Sequence, residues 1–133
     1  MNSKNIQFHW ESGAEESHRI MMLLHKNKEY TNALFYGQLY LEKLLKAHYA
    51  KNNPQEPHAP KTHNLLLLAK KCNLEFDDIL ADKLADISRF NLEARYDDAR
   101  KDFYKRCTSE FTNQQIETIK EIGIWLTKLL IKK

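Results

Sequence analysis

The chain has few residues that interrupt helices or cross-link a fold: its 133 residues include three glycines, three prolines and two cysteines. All three prolines fall within the stretch 52–61, which must therefore be a loop. No stretch shows sustained strand alternation, and there is no internal repeat. Long helices can therefore form on both sides of the proline loop.

Cysteine and metal-binding patterns are also scarce. Cys72 and Cys107 are isolated, with no metal-ligand pattern beside either, which predicts two free thiols in a reducing cytoplasm, although the sequence leaves a disulfide open. The six histidines are dispersed, and there is no HExxH or CxxC motif. We therefore expect neither a metal centre nor a cofactor.

Long apolar runs are missing as well. Runs such as residues 65–69 are far shorter than the roughly 20 residues of a membrane span, and residues 1–9 lack the apolar core of a signal peptide. Hydrophobic residues make up 42% of the chain and charged residues 29%, with a net charge of only +3. This composition predicts a cytoplasmic protein with one globular domain, residues 1–133, and does not argue for nucleic-acid binding.

Helical periodicity covers most of the chain. It predicts helices over residues 5–26 and 30–51, a short helix over 64–72, a fourth starting at Asp77 or Asp78, and a last, strongly apolar one. The fold class is therefore all-α, a bundle of four main helices plus a short one. The segment 96–107 is charged and predicted to be only partly helical. Candidate N-terminal caps are Thr62 or His63 for the third helix, and a capping box of Thr112 and Gln115 for the last.

The second helix carries two different faces. Its apolar stripe consists of Leu34, Gly37, Leu41, Leu44, Leu45 and His48. Gln38, Glu42 and Lys46 are spaced four apart and form a polar ladder. The ladder either faces water, with an ion pair of about 0.3 kcal/mol, or contacts a ligand or partner near a cleft. Gly37 costs about 1 kcal/mol in a helix, which predicts the close approach of another backbone.

The last helix has more apolar surface than one interface needs. Its main stripe is Ile116, Ile119, Gly123, Leu126 and Leu130, widened by Ile122, Ile124, Trp125 and Leu129. The excess predicts a second packing surface. The first interpretation of this surface is burial in the core, and the second is a homodimer contact.

Three sequence blocks together resemble the HEPN family. They are Gly37-Gln38-x-x-x-Glu42-Lys43-x-x-Lys46-Ala47, Thr62-His63-Asn64-Leu65 and Asn91-Leu92-Glu93-Ala94-Arg95-Tyr96-Asp97. The resemblance spans about residues 10–130. It implies an antiparallel four-helix bundle with a short extra helix, commonly a homodimer, often encoded beside a minimal nucleotidyltransferase. It also implies that some relatives are metal-independent ribonucleases, frequently toxins, which use an arginine followed after four to six residues by a histidine.

The chain departs from that ribonuclease motif. Arg95 stands where the resemblance expects the arginine, but Arg100, Lys101 and Asp102 occupy the histidine positions, and Tyr104 follows where a tyrosine is often found. Aspartate is normally an anion that repels phosphate, whereas histidine titrates near neutrality. We therefore expect nuclease activity to be absent or much reduced. Arg19 and His25 also match the spacing, but within the first helix, where the match is easily accidental.

Arg95 is the main candidate site residue. In one alternative, Arg95 stabilises its own segment by pairing with Asp97, Asp98 or Glu42. In the other, it binds phosphate together with nearby residues, which are Tyr96, Arg100, Lys101 and Lys105. The sequence thus predicts a non-catalytic HEPN-like domain that dimerises and acts with a nucleotidyltransferase or binds nucleotide or RNA phosphate.

Three alternatives stay open. The first is a ribonuclease that uses Arg95 with Asp102, Tyr104 or a distant histidine. The second is modification of Tyr104 by a nucleotidyl group, and the third is a purely structural assembly module.

Overall fold

The computed structural model describes residues 2–131, and within them the chain forms six helices and no strand. The helices are α1 Ser3–Lys26, α2 Tyr30–Asn52, α3 Leu65–Lys71, α4 Asp78–Glu93, α5 Asp97–Arg106 and α6 Ser109–Ile131. The predicted all-α class is confirmed. None of these helices is both long and apolar enough to cross a membrane.

Helix α2 is the centre of the fold, because it packs against every other helix. Thirteen of its 23 residues are buried, including the whole predicted apolar stripe. Gln38, Glu42 and Lys46 of the polar ladder are buried too. Of the two alternatives left open for the ladder, the one that faces water is therefore excluded, since neighbouring elements cover both faces of α2.

The glycines mark places where side chains pack close to a helix backbone. A Cβ at Gly37 would lie 2.6 Å from Cδ1 of Ile119 and 3.1 Å from Sδ of Met21, so the predicted close approach exists but involves side chains rather than another backbone. A Cβ at Gly123 would overlap the ring of Tyr40. Both glycines let α2 and α6 approach each other.

Side chains at the helix starts explain where the helices begin. Asn2 accepts a hydrogen bond from the Asn5 N–H at 2.9 Å, so α1 begins at Ser3, two residues earlier than predicted. Asp77 caps α4 by accepting from the Leu80 N–H at 2.8 Å, so α4 begins at Asp78, which is one of the two predicted starts. Asn64 caps α3. The predicted caps Thr62 and His63 are wrong, because Asn64 Oδ1 is the atom that accepts the Leu67 N–H.

The last third of the chain is more helical than predicted. Residues 97–106 form the complete helix α5, and α6 begins at Ser109, where the Thr108 hydroxyl accepts from the Phe111 N–H at 3.1 Å. The predicted capping box of Thr112 and Gln115 is wrong, since Thr112 lies buried inside α6. The α6 stripe is buried as predicted, and Ile122 is buried with it. Cys72 and Cys107 are free and buried.

Candidate functional site

The three sequence blocks converge on one hydrogen-bonded group of side chains, here called the polar network. Its members come from α2, from the residue before the α3 cap, and from the end of α4. They are Gln38, Glu42, Lys46, His63, Asn91 and Arg95. Helix α2 supplies the buried half, because residues spaced four apart stack on one face.

Glu42 lies at the centre of the polar network. Its Oε1 accepts from Gln38 Nε2 at 3.0 Å and from His63 Nδ1 at 2.8 Å, and its Oε2 accepts from Lys46 Nζ at 2.9 Å. Burial raises the pKa of Glu42, but hydrogen bonds from Lys46, His63 and Gln38 outweigh burial and hold the pKa below its usual value. Glu42 is therefore an ionised carboxylate inside the fold.

Gln38 connects the two halves of the polar network. Its Nε2 also donates to the His63 carbonyl at 2.9 Å, and its Oε1 accepts from Asn91 Nδ2 at 2.9 Å. Gln38 and Asn91 are both almost completely buried. An unpaired amide there would cost about 1–3 kcal/mol, so these bonds hold α2, α4 and the α3 entry together.

Asn91 holds Arg95 at the exposed end of the polar network. Arg95 donates to Asn91 Oδ1 from Nε at 3.1 Å and from Nη2 at 2.6 Å, and to the Asn91 carbonyl from Nε at 3.0 Å. Its guanidinium also lies 5.5 Å from the centre of the Tyr96 ring. The alternative in which Arg95 pairs with Asp97, Asp98 or Glu42 does not hold, because the neutral Asn91 takes that place. Among residues 2–131, no carboxylate therefore forms an ion pair with Arg95.

Lys46 closes the opposite end of the polar network. Its Nζ lies 5.1 Å from the centre of the Trp10 ring while it donates to Glu42. Lys46 is buried, so both contacts replace water around the ammonium. Helix α1 thus helps to cover the polar ladder, which periodicity within α2 alone could not decide.

A separate basic groove lies between α5 and the start of α2. Its volume is about 1130 Å³. One face of α5 lines it with Asp97, Arg100, Lys101, Tyr104 and Lys105, and the α1–α2 turn adds Lys28 and Glu29. The α5 residues share a face because their spacings are three and four.

The basic groove carries more cations than carboxylates. Four cations line it against two carboxylates, and within residues 2–131 none of the four cations forms an ion pair. Asp98 and Asp102 lie on α5 but do not line the groove. Tyr104 is 74% exposed at its edge.

The predicted site residues thus fall into two groups. Gln38, Glu42, Lys46 and Arg95 belong to the polar network, whereas Arg100, Lys101 and Tyr104 line the basic groove. Tyr96 lies between the groups, exposed at the cap of α5. The sequence groups Arg95 with the nearby basic residues, but Arg95 precedes α5 and does not line the basic groove, whereas Arg100, Lys101 and Lys105 lie within α5 and do.

The pairs expected from the ribonuclease spacing do not form. Among the described residues, no hydrogen bond or ion pair joins Arg95 to Asp102 or Tyr104. Arg19 lies 4.0 Å from Glu16, and His25 contacts Asn113. Among residues 2–131, no hydrogen bond or ion pair joins Arg19 to His25. Within residues 2–131, no group of three or more His, Cys, Asp or Glu side chains could hold a metal ion.

Sequence reasoning missed the roles of His63 and Asn91. His63 was expected at a helix start, but its imidazole binds Glu42. Asn91 stands four residues before Arg95, and that helical spacing is the signal that indicates their contact.

Comparison with known families agrees with this geometry. The HEPN domain family model matches residues 9–129, nearly the whole chain. The chain belongs to the HEPN domain family. That membership supports a nucleotide-related, RNA-related or ribonuclease-like role at the level of the family. HEPN domains commonly dimerise. No curated protein and no solved structure matches the chain significantly.

Proposed function

We propose that this HEPN domain binds the phosphate groups of a nucleotide or RNA in the basic groove. The observation that carries the proposal is the set of four groove cations without an ion-pair partner among residues 2–131. Unpaired cations on one face of a helix favour polyanion binding, since each phosphate they neutralise releases counterions. A purely structural assembly module needs no such cluster.

The dimensions of the groove support a ligand larger than one phosphate. Its volume of about 1130 Å³ exceeds the roughly 300–1,000 Å³ of most small-molecule sites. Tyr104 lines the groove beside the cations with its ring exposed, and exposed aromatic rings stack nucleobases; Tyr30, which is partly buried, lines the groove as well. The guanidinium of Arg100 can bind two phosphate oxygens at once. These features favour single-stranded RNA over an isolated anion.

The proposal extends to the assembly of the domain. We infer that residues 1–133 act as one domain in which α1, α2, α4 and α6 form the antiparallel four-helix bundle. We further propose a homodimer that acts in the cytoplasm with a nucleotidyltransferase partner. Family membership supports dimerisation, and the two buried free thiols are compatible with a reducing compartment.

Salt-dependent binding of a labelled single-stranded RNA tests the groove. Replacing Arg100 and Lys101 by alanine should weaken binding and reduce the slope of log K against log salt by about 1.4, because two phosphate contacts are lost. Lys70→Ala with Lys71→Ala removes the same charge from α3 and should leave the slope unchanged. Equal RNA binding by wild type and the Arg100/Lys101 variant would refute the proposal.

We propose as a second candidate function nucleotidyl transfer to Tyr104, in which the phenol loses its proton, its oxygen bonds to the α-phosphorus of a nucleoside triphosphate, and pyrophosphate leaves. The Tyr104 phenol is highly exposed beside three cations of α5, which would attract the triphosphate of a nucleotide donor. Co-expression with a nucleotidyltransferase encoded beside this gene, followed by mass spectrometry, should show an added nucleotide. Tyr104→Phe should remove the added mass, and Tyr96→Phe is the matched control, exposed but outside the groove. A modified Tyr104→Phe protein would exclude Tyr104 as the acceptor.

A further inference from the structure

A second groove lies between α6 and the start of α4, and it shares no residue with the polar network or the basic groove. Its volume is about 390 Å³. Apolar side chains from α4, from α6 and from the segment before α4 line it; they are Phe76, Ile79, Leu80, Ile122 and Trp125. Ile79 is 66% exposed. Apolar side chains that line one groove and are open to water are typical of an interaction surface.

Part of this surface is the apolar excess of α6 that the sequence showed. Ile122 is buried, but Trp125 is only partly buried and lines the groove. Thr118, Glu121 and Trp125 also line it, at spacings of three and four residues that cover two turns of α6, a length of about 10 Å. The core therefore uses only part of the excess, and the groove runs along another part of it.

The polar side chains of this groove are mainly acidic, so it is here called the acidic groove. Glu75, Asp77 and Glu121 line it against one cation, Lys83. Within residues 2–131, none of these four side chains forms an ion pair. The net charge of the chain is +3, so the acidic groove has the opposite sign to the protein as a whole. Carboxylates without ion-pair partners beside apolar surface favour a cationic partner.

The charge of the acidic groove also decides between occupants. RNA is unfavourable, because its phosphates would face three carboxylates. A second copy of the chain related by a two-fold axis is unfavourable too, since that symmetry sets one patch against itself and brings the carboxylates together. A metal ion takes oxygen ligands and gains nothing from the apolar lining. The occupant that fits is a protein segment that is both apolar and basic.

We propose that the acidic groove binds a basic amphipathic helix of another protein. The helix places apolar side chains, spaced three and four residues apart, against Leu80 and Trp125. Its lysines or arginines point to the carboxylates of Glu75, Asp77 and Glu121. The apolar contact supplies most of the affinity, and the charges select the partner. This inference is independent of phosphate binding in the basic groove.

The test uses three synthetic helical peptides of about 14 residues, long enough that a frayed turn at each end leaves two turns for the groove. In the basic peptide, leucines recur three and four positions apart, and lysines fill the other positions. The acidic peptide has glutamate in place of lysine, and the scrambled peptide has the basic composition without the spacing. The indole N–H signals of the isotope-labelled full chain report binding. Trp125 lines the acidic groove, whereas Trp10 lies on α1 against Lys46.

Two pairs of variants separate the acidic groove from the surface around it. Glu121→Lys reverses a charge of the groove, and Glu117→Lys reverses the charge one turn earlier on α6, outside the groove. Ile79→Ser removes an exposed apolar side chain of the groove, and Ile124→Ser removes one outside it that is 54% exposed. All four positions are exposed, so we expect the variants to fold.

The basic peptide should shift the Trp125 signal saturably and leave the Trp10 signal in place, whereas the acidic and scrambled peptides should shift neither. Glu121→Lys and Ile79→Ser should each raise the Kd of the basic peptide by about ten-fold, against less than about two-fold for Glu117→Lys and Ile124→Ser.

A Trp125 signal that the basic peptide does not move would overturn the inference, as would equal Kd values for Glu121→Lys and Glu117→Lys. Equal binding of the acidic or the scrambled peptide would also overturn it. Movement of the Trp125 signal when the protein alone is concentrated would assign the acidic groove to a second copy of the chain instead.

Discussion

Asn91 accepts two hydrogen bonds from Arg95 through one oxygen, at 2.6 Å from Nη2 and 3.1 Å from Nε, while its amide nitrogen donates to Gln38. The arginine is thus held by a neutral side chain, which orients the guanidinium and leaves its charge free for an anion. Asn91 itself is 1% exposed. The position of Arg95 therefore depends on the interior of the fold.

Asn91→Ala should destabilise the protein. The change leaves the buried Gln38 oxygen without its donor, which predicts a loss of about 2 kcal/mol in the free energy of unfolding, measured by urea denaturation. Asn113→Ala removes an exposed hydrogen bond to His25 and should cost less than about 0.5 kcal/mol. Equal losses in the two variants would show that the polar network does not stabilise the fold.

Glu42→Gln should destabilise the protein although the side chain keeps almost the same size. The variant preserves shape but leaves the buried Lys46 ammonium without a carboxylate, so we expect a loss of about 3 kcal/mol in the free energy of unfolding. Glu117→Gln breaks the exposed 3.5 Å pair with Lys120 and should change stability by less than about 0.5 kcal/mol. Urea denaturation of both variants measures the two losses in the free energy of unfolding. A loss of under about 1 kcal/mol for Glu42→Gln would contradict the prediction.

Acid should destabilise the protein partly through His48. Burial lowers the pKa of His48, although its bond to the Leu126 carbonyl opposes this and Lys51 adds to it. The unfolded chain therefore binds a proton at higher pH than the folded one. Stability is full above the unfolded pKa of about 6.5 and falls as pH drops from there through the folded pKa.

Urea denaturation at a series of pH values measures this effect. His48→Gln should flatten the slope below about pH 6.5, whereas His58→Gln, in the exposed loop, should leave it as in wild type. A smaller slope should persist through His18, whose pKa is lowered by burial and by Lys120. A wild-type protein whose stability is constant across this range would rule out the effect.

Gly123 should not tolerate alanine. Its Cβ would overlap the buried Tyr40 ring, and overpacking costs about 1–3 kcal/mol, more than the roughly 1 kcal/mol gained in helix propensity. Gly13→Ala is the control, because its Cβ would meet the flexible Lys43 side chain at 3.2 Å. Thermal unfolding should show a lower midpoint for Gly123→Ala, whereas Gly13→Ala should raise the midpoint through a gain of up to about 1 kcal/mol in helix propensity. A raised midpoint for Gly123→Ala would contradict the packing described here.

Parts of the candidate site were predictable from residue spacing. The buried stripe of α2 follows from apolar residues three and four apart, and the α5 cations share a face for the same reason. Spacing did not show that Gln38, Glu42 and Lys46 are buried, because it describes only one helix. Their burial depends on groups distant in the sequence, such as Asn91, which bonds Gln38 across 53 residues.

The amino-acid pattern alone established an all-helical chain, the proline loop, the core stripes of α2 and α6 and the resemblance to HEPN domains, because helical periodicity and short motifs are local properties. Only the packing of α1, α4 and the α3 entry around α2 decided which polar groups are buried. That packing joins His63 to Glu42 and Asn91 to Arg95, while the four cations of the basic groove form no ion pair among residues 2–131. Burial and charge pairing are properties of several elements together, so they emerge only when the chain is folded.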